Sequence, residues 1–152
     1  LASTDAETEA RTANLPQLLD YVQEFWLTGS GAGSFYSVFP RFQSVADNAT
    51  YLHAHNDYLQ FLGELGLPGV LLLAAFVALA LRTALAVLRG RRSRLYHGVA
   101  FAVTMVIGWA LLHASVDFNL QIPANALTCV VLLALAWVAK LLPSARAQGV
   151  EK

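Results

Sequence analysis

Leu67-Pro68-Gly69-Val70-Leu71-Leu72-Leu73-Ala74-Ala75-Phe76-Val77-Ala78-Leu79-Ala80-Leu81-Arg82-Thr83-Ala84-Leu85-Ala86-Val87-Leu88 runs for 22 residues with a single charge. About 20 apolar residues in a helix cross the hydrocarbon core of a bilayer, so this stretch reads as a transmembrane helix. Arg82 sits near the end that leads into a basic loop, where a long side chain can snorkel toward the headgroups. Two further runs follow it, His97 to Val116 and Ala124 to Leu142, of 20 and 19 residues. The expected fold is therefore all-α and polytopic, with three transmembrane spans at about 67–88, 97–116 and 124–142.

Composition agrees. Hydrophobic residues make up 57% of the 152-residue chain and charged residues 13%, with a mean hydropathy of +0.52, which excludes an ordinary soluble domain. The net charge of zero conceals an asymmetry. Residues 1–66 carry eight acids against Arg11 and Arg41, whereas residues 67–152 carry eight bases against Asp117 and Glu151. The segment Arg89-Gly90-Arg91-Arg92-Ser93-Arg94 joins the first two spans, and Lys140, Arg146 and Lys152 lie at or beyond the end of the third. The positive-inside rule places both basic regions in the cytoplasm. Residues 1–66 and the loop from Asp117 to Pro123 then lie outside, and residues 143–152 form a cytoplasmic tail. Four arginines between two spans are accounted for by topology and anionic lipid, so nucleic acid is not an expected partner. The lone Cys129, inside an apolar run, reads as packing. The chain opens on Leu1 with no signal-peptide pattern, and the expectation is the C-terminal portion of a longer multi-span protein, whose missing N-terminal transmembrane helices would pack against these three.

Within residues 1–66, Leu15, Leu18, Leu19, Val22, Phe25 and Trp26 fall on one helical face, predicting a short amphipathic helix to about Trp26 with its aromatic end at the bilayer interface. Next, Thr28-Gly29-Ser30-Gly31-Ala32-Gly33-Ser34-Phe35 places three glycines at alternate positions. Such a loop is either a plain turn or a nest whose free amides cradle an anion; as a nucleotide fingerprint it fails, with no preceding strand and no Walker-type lysine. Before the first span comes His53-Ala54-His55-Asn56-Asp57-Tyr58-Leu59-Gln60-Phe61-Leu62-Gly63-Glu64-Leu65-Gly66. Asp57 with Gln60 three residues on resembles a capping box, predicting a helix from Tyr58, with Gly66-Leu67-Pro68-Gly69 as a kink.

This topology gathers Arg11, Arg41, His53, His55, Asp57, Glu64, His113, Asp117, Asn119 and Gln121 outside. His113 and Asp117 are four apart, which on a continuing helix puts them on one face. Taken singly, each has an ordinary reading as a solvated charge, a cap or a polar helix end. Taken together they admit three: a divalent-metal site activating water for a hydrolase of lipid-linked phosphates; a neutral histidine deprotonating a hydroxyl while arginines bind a phosphorylated leaving group; or a membrane scaffold with no chemistry.

His55-Asn56, nine residues, then Gly66, two residues and Gly69 resembles the signature of the bacterial O-antigen ligase and O-antigen polymerase superfamily. The segment Leu27 to Phe35 is similar to that family's glycine loop, Arg11 lies on the preceding amphipathic helix where the family places an arginine, and His113 to Asn125 is similar to its last outer loop. The glycine loop follows Phe25-Trp26 where members often carry proline. The many upstream spans and a second arginine the family uses do not occur in this sequence. The resemblance implies a multi-pass protein of the bacterial inner membrane with a periplasmic catalytic face. The implied reaction is an inverting glycosyl transfer without metal or other cofactor. Its donor would be a glycan on undecaprenyl diphosphate, and its acceptor lipid A-core or a glycan, in lipopolysaccharide or related polysaccharide biosynthesis. A polymerase joining repeat units is the alternative within the family, and a soluble nucleotide-sugar donor does not fit a site facing away from the cytoplasm. His55 is then the expected general base and Arg11, with Arg41, the expected diphosphate ligand. Asn56, Asp57, His113 and Asp117 are the expected supporting groups, and the amides of Gly29, Gly31 and Gly33 an anion loop.

Overall fold

The computed structural model describes residues 14–43, 51–91 and 93–143. Its elements are the helices α1 (Leu15–Phe25), α2 (Phe35–Val38), α3 (Asp57–Gly90), α4 (Arg94–His113) and α5 (Pro123–Leu141), with single 3-10 turns at Phe39–Arg41 and Asn119–Gln121. Among the described residues there is no strand. Helices α3, α4 and α5 are each long and apolar enough to cross a membrane, and the protein is an all-helical membrane protein.

The chain divides into two compact units, one of residues 1–73 with 113–121 and one of residues 74–112 with 122–152. The second unit is built on helix faces with three- and four-residue spacing. Ala80, Ala84 and Val87 meet Ala100, Val103 and Ile107 of α4 and Leu133, Ala136 and Ala139 of α5. Alanine dominates this core because small side chains let helices approach closely where no hydrophobic effect drives them together. Phe76, Leu79, Phe101, Met105, Trp109 and Val130 point outward, as residues facing lipid or further helices must. Arg91 lies over the Tyr96 ring and donates to the Lys140 carbonyl in the last turn of α5, a favourable place for a cation.

The first unit is organised by a break in α3. Gly66 has φ 65° and ψ −179°, in the left-handed half of the map that glycine enters without a Cβ penalty, and Pro68 supplies no N–H. In a continuous helix the carbonyls of Gly63 and Glu64 would receive the amides of residues 67 and 68. Instead Leu67 N–H donates to the Trp26 carbonyl at 2.7 Å, while the Gly63 and Glu64 carbonyls accept Ser30 N–H and Gly31 N–H, each at 2.9 Å. The glycine loop thus fills the hydrogen bonds that the helix leaves open. Around this clasp pack Leu18, Tyr21, Val22, Phe35 and Phe39, all buried. Tyr21 lies edge-on to Phe35, Phe39 and Phe42, and its ring covers Gly63, where a Cβ would fall 2.1 Å from it. The amphipathic helix forms as its spacing predicts, but its buried face is Leu18, Tyr21 and Val22, with Leu15, Leu19 and Trp26 outward. Phenol burial against the helix break outweighs the apolar count of the other strip.

Candidate active site

Helix α3 begins at Asp57, one residue before the predicted start, and its cap is Asn56. The Asn56 side-chain oxygen accepts Leu59 N–H at 3.1 Å, and its amide nitrogen donates to the Ser115 carbonyl at 3.0 Å. Asp57 is therefore not the cap. It is fully buried, its own N–H donates to the Ala114 carbonyl at 2.8 Å, and its Oδ2 accepts Leu120 N–H at 3.0 Å. These contacts bind residues 114–120 to the entrance of α3.

That loop takes the form it does because α4 ends at His113, three residues short of the expected Val116. Val116 and Asp117 both donate their N–H groups to the His113 carbonyl, closing a turn. His113 and Asp117 thus lie one turn apart, but their side chains go to different partners. The Asn119 amide lies 3.3 Å from His113 Nδ1, and the Asp117 carboxylate reaches His55, with Oδ1 3.7 Å from Nδ1.

His55 is the focus. It has φ 52°, the one non-glycine residue with positive φ among those described, a region that side-chain-bearing residues seldom occupy. Its imidazole is about one-third exposed, as is the Asp117 side chain at 39%, so both are open to a substrate. Phe118 walls this pair: its ring is edge-on to His55 at 4.9 Å and stacked on His53 at 4.6 Å. His53, two residues away in sequence, is thus held by stacking while His55 faces a carboxylate.

Behind the histidines lies a buried polar pair that composition alone would not single out. Gln60 accepts Ala54 N–H on Oε1 at 2.9 Å and donates from Nε2 to Glu64 Oε1 at 3.2 Å. Glu64 in turn accepts Phe35 N–H on Oε1 at 3.2 Å and Gly33 N–H on Oε2 at 2.9 Å. The glycine loop does meet an anion, and it is Glu64: Gly29 N–H donates to the Phe25 carbonyl, Gly31 N–H to the Glu64 carbonyl and Gly33 N–H to the Glu64 carboxylate. The sequence signal for Gln60 and Glu64 was their i, i+4 spacing on an otherwise apolar helix face. Arg41 lies exposed in the 3-10 turn Phe39–Arg41, and Arg11 lies outside the described residues. Among the described residues no three His, Cys, Asp or Glu side chains converge as a metal-ligand set.

The family model for O-antigen ligase matches residues 2–74. Over that stretch, a little under half of the chain, the sequence is similar to the O-antigen ligase family. The match takes in the glycine loop, the His55-Asn56 motif, the helix break and the start of the first span. No curated protein and no solved structure matches the chain. In this matched segment the two glycine motifs answer each other. The Gly66-Leu67-Pro68-Gly69 break uncovers carbonyls, and the loop from Gly29 to Gly33 supplies the amides that cover them.

Proposed function

We propose that the protein transfers a glycan from undecaprenyl diphosphate to an acceptor hydroxyl on lipid A-core or a growing glycan, at the periplasmic face of the bacterial inner membrane. The observation that carries this reading is His55. A partly exposed imidazole held in left-handed backbone, with Nδ1 turned toward the Asp117 carboxylate, is arranged as a general base whose Nε2 takes a proton from substrate. An imidazole titrates near neutrality, which suits that role.

The acceptor oxygen forms a bond to the anomeric carbon as the bond from that carbon to the diphosphate oxygen breaks. The hydroxyl proton passes to His55 Nε2, and the electron pair of the broken bond leaves on the diphosphate, which Arg11 and, secondarily, Arg41 neutralise. Attack opposite the leaving group inverts the anomeric centre, and no metal enters the scheme. Asp117 orients the imidazole and stabilises the imidazolium that forms. Asn56 and Asp57 fix the loop carrying Asp117, and His113 supports that loop through Asn119. Gly29, Gly31 and Gly33 contribute as the scaffold that Glu64 holds, rather than as ligands of the diphosphate.

The test is glycan transfer from a lipid-linked donor by the intact protein, comparing wild type, His55→Ala, His53→Ala and Arg11→Ala, with and without EDTA. His55→Ala is expected to lose a factor on the order of 10² to 10⁴ in rate, with His53→Ala and EDTA near wild type and Arg11→Ala weakened in donor use. Loss of activity in both histidine variants and in EDTA together would replace the general base with a metal site.

A further inference from the structure

We infer that Gln60 is a positioning residue for His55, a role that rests on the general-base reading above. Gln60 is 2% exposed and sits in the first turn of α3. Its Oε1 accepts the N–H of Ala54, the residue immediately before His55. The residue immediately after, Asn56, is fixed by its two side-chain hydrogen bonds to Leu59 and Ser115. The left-handed backbone at His55 is thereby pinned on both sides, by Gln60 upstream and by Asn56 downstream.

The orientation of the Gln60 amide follows from chemistry. A carboxylate only accepts, so Glu64 Oε1 draws the NH₂ group and leaves the carbonyl oxygen facing Ala54 N–H. Because the same carboxylate holds Gly33 and Phe35, Gln60 also links the glycine loop to the segment that carries the base. It touches no reacting atom in the proposed scheme, so its influence passes through His55.

The experiment measures transfer by the intact protein carrying Gln60→Met or Gln60→Glu, each alone and combined with His55→Ala. Methionine keeps the bulk and removes both the acceptor for Ala54 and the donor that faces Glu64 and His53. Loss of the hydrogen bond that holds Ala54, together with the one to Glu64, is expected to lower kcat roughly tenfold or more, with KM for donor and acceptor unchanged. In the His55→Ala background the same substitution is expected to cost nothing further, since the group it positions is gone. Glutamate retains an acceptor for Ala54 but sets a second carboxyl against Glu64, with the His53 imidazole, 3.5 Å from the native amide nitrogen, as the other titratable group beside it. Its activity relative to wild type is therefore expected to recover as pH falls and that pair gains a proton.

Wild-type kcat in Gln60→Met would overturn the inference. So would an equal loss in the wild-type and His55→Ala backgrounds, which marks a purely structural residue, or a Gln60→Glu profile parallel to wild type at every pH. Full activity in His55→Ala alone would remove the general-base reading first and this role with it. A deficient His55→Ala beside an unaffected Gln60→Met would leave that reading standing and reject only the role of Gln60.

Discussion

Gly29 and Gly66 meet backbone to backbone: a Cβ on Gly66 would lie 2.6 Å from the Gly29 nitrogen, and a Cβ on Gly29 would lie 2.3 Å from the Glu64 carbonyl oxygen. Backbone cannot swing aside as a flexible side chain does, so neither position tolerates a methyl group.

Gly66→Ala should therefore destabilise the first unit far more than Gly33→Ala. Both residues have positive φ, at 65° and 73°, but a Cβ at Gly33 meets nothing within 4 Å. The conformational strain common to both is on the order of 1–3 kcal/mol, and the clash at Gly66 adds to it. Denaturant unfolding of the two variants in detergent checks this, and equal losses would mean that the clasp is loose.

Asp117→Asn should lower kcat roughly tenfold with little change in KM, the expected cost of losing one charge-assisted contact in a partly exposed pair. Combined with His55→Ala it should add almost nothing. A loss that persists in the double variant would assign Asp117 a role of its own with substrate.

Burial pushes the Tyr21 phenol above its ordinary value, opposed by the hydrogen bond with Ser30 and reinforced by the Glu64 charge. The phenol thus holds its proton more tightly folded than unfolded. The associated stability is complete below about pH 10, where unfolded tyrosine titrates, and is lost as pH rises through the higher folded value. Thermal unfolding from pH 8 to 11 should show an alkaline decline in wild type that Tyr21→Phe lacks, although the variant begins less stable for want of the 2.7 Å Tyr21–Ser30 hydrogen bond.

Orientation is checked by thiol labelling in a Cys129→Ser background. Ser37→Cys, in the region carrying the site, should react with an impermeant reagent in intact spheroplasts, whereas Ser93→Cys, between basic residues, should react only after lysis. The reverse pattern would move the proposed chemistry to the cytoplasmic side and exclude the donor assigned above.

Periodicity and length made the membrane helices legible, because an apolar run of about 20 residues has few other uses. The His55-Asn56 motif and the Gly66 to Gly69 kink were equally visible. What the chain did not disclose was partnership at a distance. Asp57 was read locally as a cap, a role that one residue's shift in register gives to Asn56. The spacing makes Gln60 half of a capping box, but its amide meets Ala54, Glu64 and His53. Asp117 was matched with its helical neighbour His113, whereas the end of α4 turns it toward His55, 62 positions away in sequence. The alternate glycines leave a plain turn and an anion nest both open, and do not reveal that the chain brings its own anion.

The broken turn of α3 also has a consequence for how the protein is made. A helix that leaves two carbonyls uncovered is hazardous to release near a bilayer, where an unmet polar group is expensive. Here the covering residues, Ser30 and Gly31, precede Gly63 and Glu64 in the chain and so leave the ribosome first. By the time the interrupted segment emerges, its partner has already been synthesised, and closure need not wait for any later helix.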